Sequence, residues 1–480
     1  MSRRDLLWAL VFVIAAGSLQ AIQKVPFDGD TGYHVVVARL IAEHGVLHRF
    51  PWTPFSYLAD RYADKELLFH LLLVPVSQLS YPLAAKLVGT LLGALLLGVF
   101  YWILREEGVE SPELWTVAMF VSSGAFLMRF ALVRPHLLSM ALMMAIAWTA
   151  IHEKRRALGL LCFAYPFCYI AWHAVLVLLL LVEAARILSQ RTISVRNLGV
   201  AVGALALGVL VHPNFPANTE VFWIENVEVL LQKAWGTGRA DPTRYLGGEL
   251  APMGPLTALV FLGFPILVVG MALLPAIRRR ADNLPGLAFV VAAIAFLGLT
   301  LGSERFVEYS VPFSFLAGAT SLRSMRKPVL LALIGAMSVA TLLVGSQDLR
   351  AFPVRPELFP TDSTEAIRKI IPEGAQVFTC GWDVTGEMMI ALPERKFLVA
   401  LNPVFLWAKN PDLYYTWFDL VHHPPAGAAK IIRSRFQADF VLCEERAEHL
   451  ALIRRLSGSP GVRTAYRIGP WVLFVLDDPS

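Results

Sequence analysis

From Leu6 to Val344 the chain is a succession of apolar runs, each roughly 16 to 22 residues long and set apart by short polar stretches. A helix rising about 1.5 Å per residue needs runs of this length to cross a hydrocarbon core of about 30 Å, so the pattern predicts transmembrane helices. Past Arg350 the runs stop. Helix-like segments at 363–371 and 426–435 alternate there with strand-like segments at 376–379, 396–401, 439–442, 463–467 and 472–476. The expected architecture is a mainly α, polytopic membrane part over 1–349 and a small α/β domain over 350–480, entered through a linker marked by Pro353, Pro356 and Pro360.

Composition supports this division. A mean hydropathy of +0.58, with 56% hydrophobic and 16% charged residues, exceeds what one soluble core requires. The net charge of +5 is spread over short basic clusters at Arg3 and Arg4, Arg105, 154–156, 186–196, 278–280 and 323–327. The positive-inside rule turns these toward the cytoplasm. They then imply about eleven spans, at 6–22, 83–104, 113–131, 136–152, 157–171, 173–189, 197–211, 254–276, 284–301, 305–321 and 328–345. An odd number leaves the amino end cytoplasmic and the C-terminal domain outside. Leu67 to Leu79 would put every later cluster on the wrong side if it spanned. It is short and holds Pro75, so it is expected as an interfacial or re-entrant helix within a first external loop over 24–82. Residues 1–21 also fit a cleavable signal peptide, but a retained first span is preferred because no soluble domain follows directly.

The basic clusters never merge into one extended face, which argues against nucleic acid. Gly381 and Gly386 do not complete a G-x-G-x-x-G loop, which disfavours a nucleotide site. None of the four cysteines has metal-ligand spacing. Cys162 and Cys168 lie in an apolar run. Cys380 and Cys443 end strand-like segments and are expected as buried free thiols, a disulfide being the alternative if their strands are neighbours.

The remaining polar residues gather on the external side of this topology, at 28–66, 129–136, 172–173, 212–249 and 303–308. Ionisable groups at several span ends facing one side are what a site at the lipid boundary requires. Asp28 and Asp30 leave the first span together. Neighbouring carboxylates raise one another's pKa, which suits a base that takes a proton from a hydroxyl, although either acid also suits the cap of a helix beginning near Thr31. The turn Ser303-Glu304-Arg305 sets two opposite charges between apolar helices.

The order of these motifs resembles the GT-C fold glycosyltransferases, most of all a bacterial group with a D-x-D start. In this chain that start is Asp28 and Asp30 with His34, followed by Glu43-His44-Gly45, Pro54-Phe55-Ser56-Tyr57, the triplet Asp64-Lys65-Glu66, Arg134-Pro135-His136, His173 and Pro213-Asn214. Protein O-mannosyltransferases and aminoarabinose transferases are more distantly similar. The chain departs from the pattern at Thr31, where many transferases of this fold carry a D-E doublet, and at His136 and His212, which stand for a glutamine and an asparagine.

The resemblance implies a multi-pass glycosyltransferase of the bacterial inner membrane. It would move a sugar, with inversion, from a polyprenyl-phosphate donor to a hydroxyl of a glycan, lipid or protein acceptor on the extracytoplasmic face. It implies Asp30 as the base with Asp28 and Glu66 as further catalytic acids, Lys65, Arg134 and Arg305 for the lipid phosphate, and Tyr33, His34, His136, His173 and Glu304 for the sugar or acceptor. No cofactor is expected; a divalent cation held by Asp28, Asp30 and Glu66 is the alternative. The competing functional readings are a non-catalytic membrane component or lipid-glycan transporter of envelope assembly, and a receptor with an external ligand domain.

Overall fold

The computed structural model describes residues 2–477 except 27, 236–249, 324, 352–357 and 360. The linker prolines Pro353, Pro356 and Pro360 and most of the expected external loop beyond residue 235 therefore lie outside the described residues. Helix α1 (Arg3–Ala21) starts from a capping box in which Ser2 and Asp5 exchange hydrogen bonds, at 2.7 and 3.3 Å. Helix α2 (Asp30–His44) lies in the first loop and stops at Gly45, whose φ of 74° suits a residue with no Cβ. Helix α3 (Leu67–Leu73) runs into a 3₁₀ turn, Val74–Val76, that contains Pro75. The segment is thus short, as its length and proline require.

The bundle continues through α4 (Tyr81–Glu106), α5 (Pro112–Val121), α6 (Gly124–Ala131), α7 (His136–Ile151), α8 (Arg155–Cys168), α9 (His173–Gln190) and α10 (Val195–Val211). It is completed by α11 (Ala217–Trp223), α12 (Val229–Trp235), α13 (Pro255–Arg278), α14 (Leu284–Gly302), α15 (Val307–Ser321) and α16 (Lys327–Ala351). Among the described residues five helices, α1, α4, α9, α13 and α14, are long and apolar enough to cross a membrane. Several other expected spans are shorter apolar helices, among them α7 and α10. The expected straight span 113–131 is instead α5 and α6, bent by 92°. The break has a local cause: Ser123 is extended and its hydroxyl accepts the Phe126 N–H, capping a new helix.

Leucines on the outer faces, such as Leu10, Leu160, Leu180, Leu256 and Leu259, are more than half exposed. In water this would be unfavourable; in a multi-pass membrane protein they meet lipid. The basic segments meet one another at one end of the bundle. Arg105 pairs with Asp5 at 2.6 Å, Arg4 with Glu113 at 2.7 Å, and Glu107 receives both His152 at 2.5 Å and Arg323 at 3.2 Å.

The C-terminal part holds α17 (Thr361–Ile370), β1 (Val377–Thr379), α18 (Thr385–Ala391), α19 (Val404–Lys409), α20 (Pro411–His422), α21 (Ala428–Phe436), β2 (Phe440–Glu444), α22 (Leu450–Ser457), β3 (Val462–Ile468) and β4 (Trp471–Leu476). The sheet order is β1-β2-β4-β3, with β1 and β2 parallel and the other pairs antiparallel. The expected strand at 396–401 does not form. Beyond a single bridge from Lys396 to Gln376, the Phe397 N–H turns away to the carbonyl of Trp52 in the first loop, at 2.7 Å. The expectation of free thiols at Cys380 and Cys443 is also overturned. Cys380 follows β1 and Cys443 lies within its parallel neighbour β2; their Cα atoms are 5.1 Å apart, and the two form a disulfide. Cys162 and Cys168 are the free, buried thiols.

Candidate functional site

The first loop and the C-terminal part are joined backbone to backbone. A Cβ on Gly32 would come within 2.8 Å of the Glu387 nitrogen, and one on Gly386 within 2.2 Å of the Tyr33 nitrogen. Only glycines allow α2 and α18 to cross this closely, and the Tyr81 hydroxyl adds a hydrogen bond to Glu387 at 3.1 Å. Further along the loop, Lys409 donates to the Pro54 carbonyl at 3.1 Å and pairs with Asp60 at 2.6 Å. The result is a seat that holds the start of α2 between the membrane helices and the C-terminal sheet.

At that seat lies a cavity of about 1310 Å³ whose lining includes Asp28, Asp30, His34, Lys65, Glu66, Arg134, His136, His173 and Arg305. Nine of the eleven residues singled out from sequence therefore share one space. Tyr33 and Glu304 do not line it. The Tyr33 hydroxyl is buried against that of Tyr62 at 2.9 Å, so Tyr33 serves the packing beneath α2; Glu304 belongs to a 3₁₀ turn, with its N–H bonded to Ala251. The volume is above the roughly 300–1,000 Å³ usual for a small-molecule pocket. Its lining combines these charged and polar residues with apolar ones, among them Ile170, Val229, Leu230 and Leu299.

Among the charged residues, Arg134 bridges both acids of the D-x-D start. Its Nε lies 2.8 Å from Asp28 and its Nη2 3.0 Å from Asp30. Asp28 also accepts the Thr31 N–H and hydroxyl, each at 2.8 Å, so the capping role falls to Asp28, and Asp30 is the first residue of the helix. The expectation that paired acids raise a carboxylate pKa fails at Asp28. Burial pushes its pKa up, but the Arg134 guanidinium and the Thr31 donors outweigh this and hold it below the ordinary carboxylate range. Glu66 is the carboxyl that is raised, because it is buried and the Lys65 ammonium compensates only in part.

Lys65 donates to Glu225 at 2.6 Å and lies 4.0 Å from Glu66. Burial alone would lower its pKa, yet these two carboxylates raise it, so it stays a cation inside the cavity wall. Arg305 donates to the Tyr169 hydroxyl at 2.6 Å and sits over that ring. His136 bonds the Arg129 carbonyl through Nε2 at 2.7 Å, while its Nδ1 and the Nδ1 of His173 are buried without a protein partner.

The sequence reading missed several wall residues. Trp382, Asp383, Asn402 and Arg446 arrive from the C-terminal part, where Asp383 and Arg446 pair at 2.7 Å. Glu225 lies in a π-helical turn, Ile224–Glu228, and no local signal marks it. Beside the wall, His34 Nδ1 is 2.9 Å from His70 Nε2, and Asp64 holds His70 Nδ1 at 2.7 Å. Burial keeps His34 well below the ordinary histidine pKa, with the nearby His70, Arg134 and Lys65 adding to the effect. Among the described residues the acids whose ligand atoms converge are not the alternative set of Asp28, Asp30 and Glu66; the converging group is His34, Glu66 and His70.

A bundle of apolar helices with a first-loop helix seated under a C-terminal mixed sheet defines the class: this is the GT-C fold, as the motif order implied. Among solved structures, the chain is similar to the archaeal oligosaccharyltransferase AglB from Archaeoglobus fulgidus, in complex with an inhibitory peptide and a dolichol-phosphate, with a TM-score of 0.64 at 14% identity over 92% of this chain and 70% of that one. It is also similar to the mycobacterial arabinofuranosyltransferase AftD, with a TM-score of 0.58 at 13% identity over 99% of this chain, which spans 40% of AftD. ArnT from Cupriavidus metallidurans bound to undecaprenyl phosphate gives 0.45 at 14% identity over 98% of this chain and 99% of that one. No family model and no curated protein matches the sequence.

Proposed function

We propose that this chain is a membrane glycosyltransferase that moves a sugar, with inversion, from a polyprenyl-phosphate donor to an acceptor hydroxyl at the extracytoplasmic face of the bacterial inner membrane. The observation that carries the reading is the cavity that Asp30, Lys65, Arg134 and Arg305 line together with apolar residues such as Ile170, Val229, Leu230 and Leu299. An isoprenoid phosphate needs that combination: cations for its head and lipid-like surface for its chain.

In this reading Asp30 takes the proton of the acceptor hydroxyl as its oxygen bonds to the anomeric carbon. The bond from that carbon to the phosphate oxygen breaks on the opposite face, and the polyprenyl phosphate leaves with the electron pair. Arg305 and Lys65 stabilise the charge gained by the phosphate. Arg134 fixes Asp30, and the approach of a phosphate draws its guanidinium partly away, which raises the basicity of Asp30 when the donor is bound. The Cys380–Cys443 disulfide supports an external C-terminal domain, since such bonds persist in oxidising compartments.

The test is Asp30→Asn in a transfer assay on purified protein, with mass spectrometry of co-purified lipid. Loss of turnover with lipid retained supports the reading. Parent-like turnover of the variant rejects Asp30 as the base, and a purified chain that neither transfers a sugar nor retains or binds a polyprenyl phosphate rejects the reading.

A further inference from the structure

His34, Glu66 and His70 come from two helices and place one ligand-type atom each within 4.8 Å of one another. All three are buried, at 3%, 7% and 1% exposure. Glu66 precedes α3 and His70 follows one turn later, an i, i+4 spacing that sets both on one face opposite His34 of α2. Asp64 accepts from His70 Nδ1 with both oxygens, at 2.7 and 2.8 Å, which keeps the proton there and leaves the Nε2 lone pair turned into the cluster, where it faces His34 Nδ1 at 2.9 Å. A carboxylate behind a histidine in this manner is the usual support of a metal-bound imidazole.

The independent sign is on Glu66. Its Oε1 is 4.0 Å from Lys65, but its Oε2 is buried and has no hydrogen-bond partner, and it points at His34 Nδ1 from 3.8 Å. An unpaired oxygen of a buried carboxylate is costly unless something cationic reaches it.

We propose that His34 Nδ1, His70 Nε2 and Glu66 Oε2 form a binding site for a tetrahedral divalent transition metal, with zinc the best fit, and that Asp64 is its positioning residue. Two imidazoles and one carboxylate are borderline ligands that favour zinc over magnesium or calcium, whose shells are all oxygen. Zn–N bonds of about 2.0 to 2.1 Å at tetrahedral angles separate the nitrogens by about 3.3 Å. The present 2.9 Å separation opens to that value through a rotation of either ring. His34 and Glu66 also line the large cavity, so the fourth position of the ion faces it. The site ties α2 to α3 and stands apart from the transferase reading, since its evidence is its own geometry.

The experiment uses the full chain purified without a polyhistidine tag. Elemental analysis and isothermal titration of chelator-stripped protein with Zn²⁺ alone read stoichiometry, and Co²⁺ substitution reads geometry by its visible absorption. One zinc per chain, its loss in His70→Gln and in Glu66→Gln, and a roughly 10- to 100-fold weakening in Asp64→Asn are expected. Parent-like thermal unfolding of the stripped variants shows that they fold; a variant that does not fold is replaced by His34→Gln. A parent chain that takes up no stoichiometric zinc, or a folded His70→Gln variant that binds it like the parent, overturns the site and leaves a metal-free hydrogen-bonded chain from Asp64 through His70 to His34.

Discussion

The Arg134 guanidinium stands 3.0 Å from the carboxylate of Asp30, the proposed base, while its Nε holds Asp28 at 2.8 Å. With Asp30 as the base, Asp30→Asn lowers turnover by about 10² to 10⁴ with little loss of thermal stability, because the Thr31 N–H at the start of α2 is held by Asp28 and not by Asp30. Arg134→Lys keeps the charge but loses the fork that spans both acids, so it lowers both lipid affinity and turnover. Titration calorimetry with polyprenyl phosphate and a transfer assay separate the two effects. A turnover of Asp30→Asn within a few-fold of the parent rejects Asp30 as the base.

Asp28 carries a pH dependence of stability. Its folded pKa lies below the unfolded value of about 3.9, so its contribution is complete above that value and is lost as pH falls through the folded pKa. Acid titration of the melting temperature in detergent tests this. Asp28→Asn flattens the acid limb, and Asp28→Ala costs about 1 kcal/mol more through the lost cap. An unchanged acid limb in Asp28→Asn rejects the assignment.

The glycine crossing predicts that a methyl group is too large at two places 354 positions apart, Gly32 and Gly386. Their Cβ atoms would meet backbone, which cannot rotate aside. Gly32→Ala and Gly386→Ala each destabilise by about 1 to 3 kcal/mol and reduce any activity of the seat. Thermal melts check the first and lipid binding the second; two neutral substitutions would mean that α2 and α18 are not held this way.

Thiol counting checks the disulfide. Unfolded, unreduced protein offers two reactive thiols, Cys162 and Cys168, of its four cysteines, and reduction exposes all four. Cys443→Ser loosens the β1–β2 pair and costs about 2 to 5 kcal/mol. Four reactive thiols before reduction would remove the bond.

Orientation is tested by a reporter fused after Ser480. Activity of a reporter that works only outside the cytoplasm is expected, as the charge bias of the loops and the disulfide both require. Activity of a cytoplasmic reporter there would invert the topology and with it the proposed face of transfer.

Much of the fold was legible because two signals are local. Apolar run length marks membrane helices, and period-two stretches marked β2, β3 and β4 to within about two residues. The bend at Ser122 and Ser123 was hidden because a capping serine inside an apolar run reads the same as a tolerated one. The missing strand at 396–401 was hidden because its partner is Trp52, far away in sequence. The candidate site was legible where charges follow or precede expected spans, as Asp30, Arg134 and Arg305 do, and in the acidic-basic-acidic triplet around Lys65 in the first loop. It was not legible at Glu225, Asp383 and Arg446, which become wall residues only through the docking of the C-terminal part. Tyr33 was misplaced by one helical step: its neighbour His34 faces the cavity, and Tyr33 itself turns down into the core.

The crossing of α2 over α18 also sets an order of assembly. The helix that bears Asp30 leaves the ribosome early, yet its backbone cannot settle until the stretch around Gly386 has been synthesised and brought to it. Until then the acids at the start of α2 lack the wall contributed by Trp382, Asp383 and Arg446. A partly made chain therefore lacks this crossing, and the candidate site is complete only once the polypeptide behind it is in place.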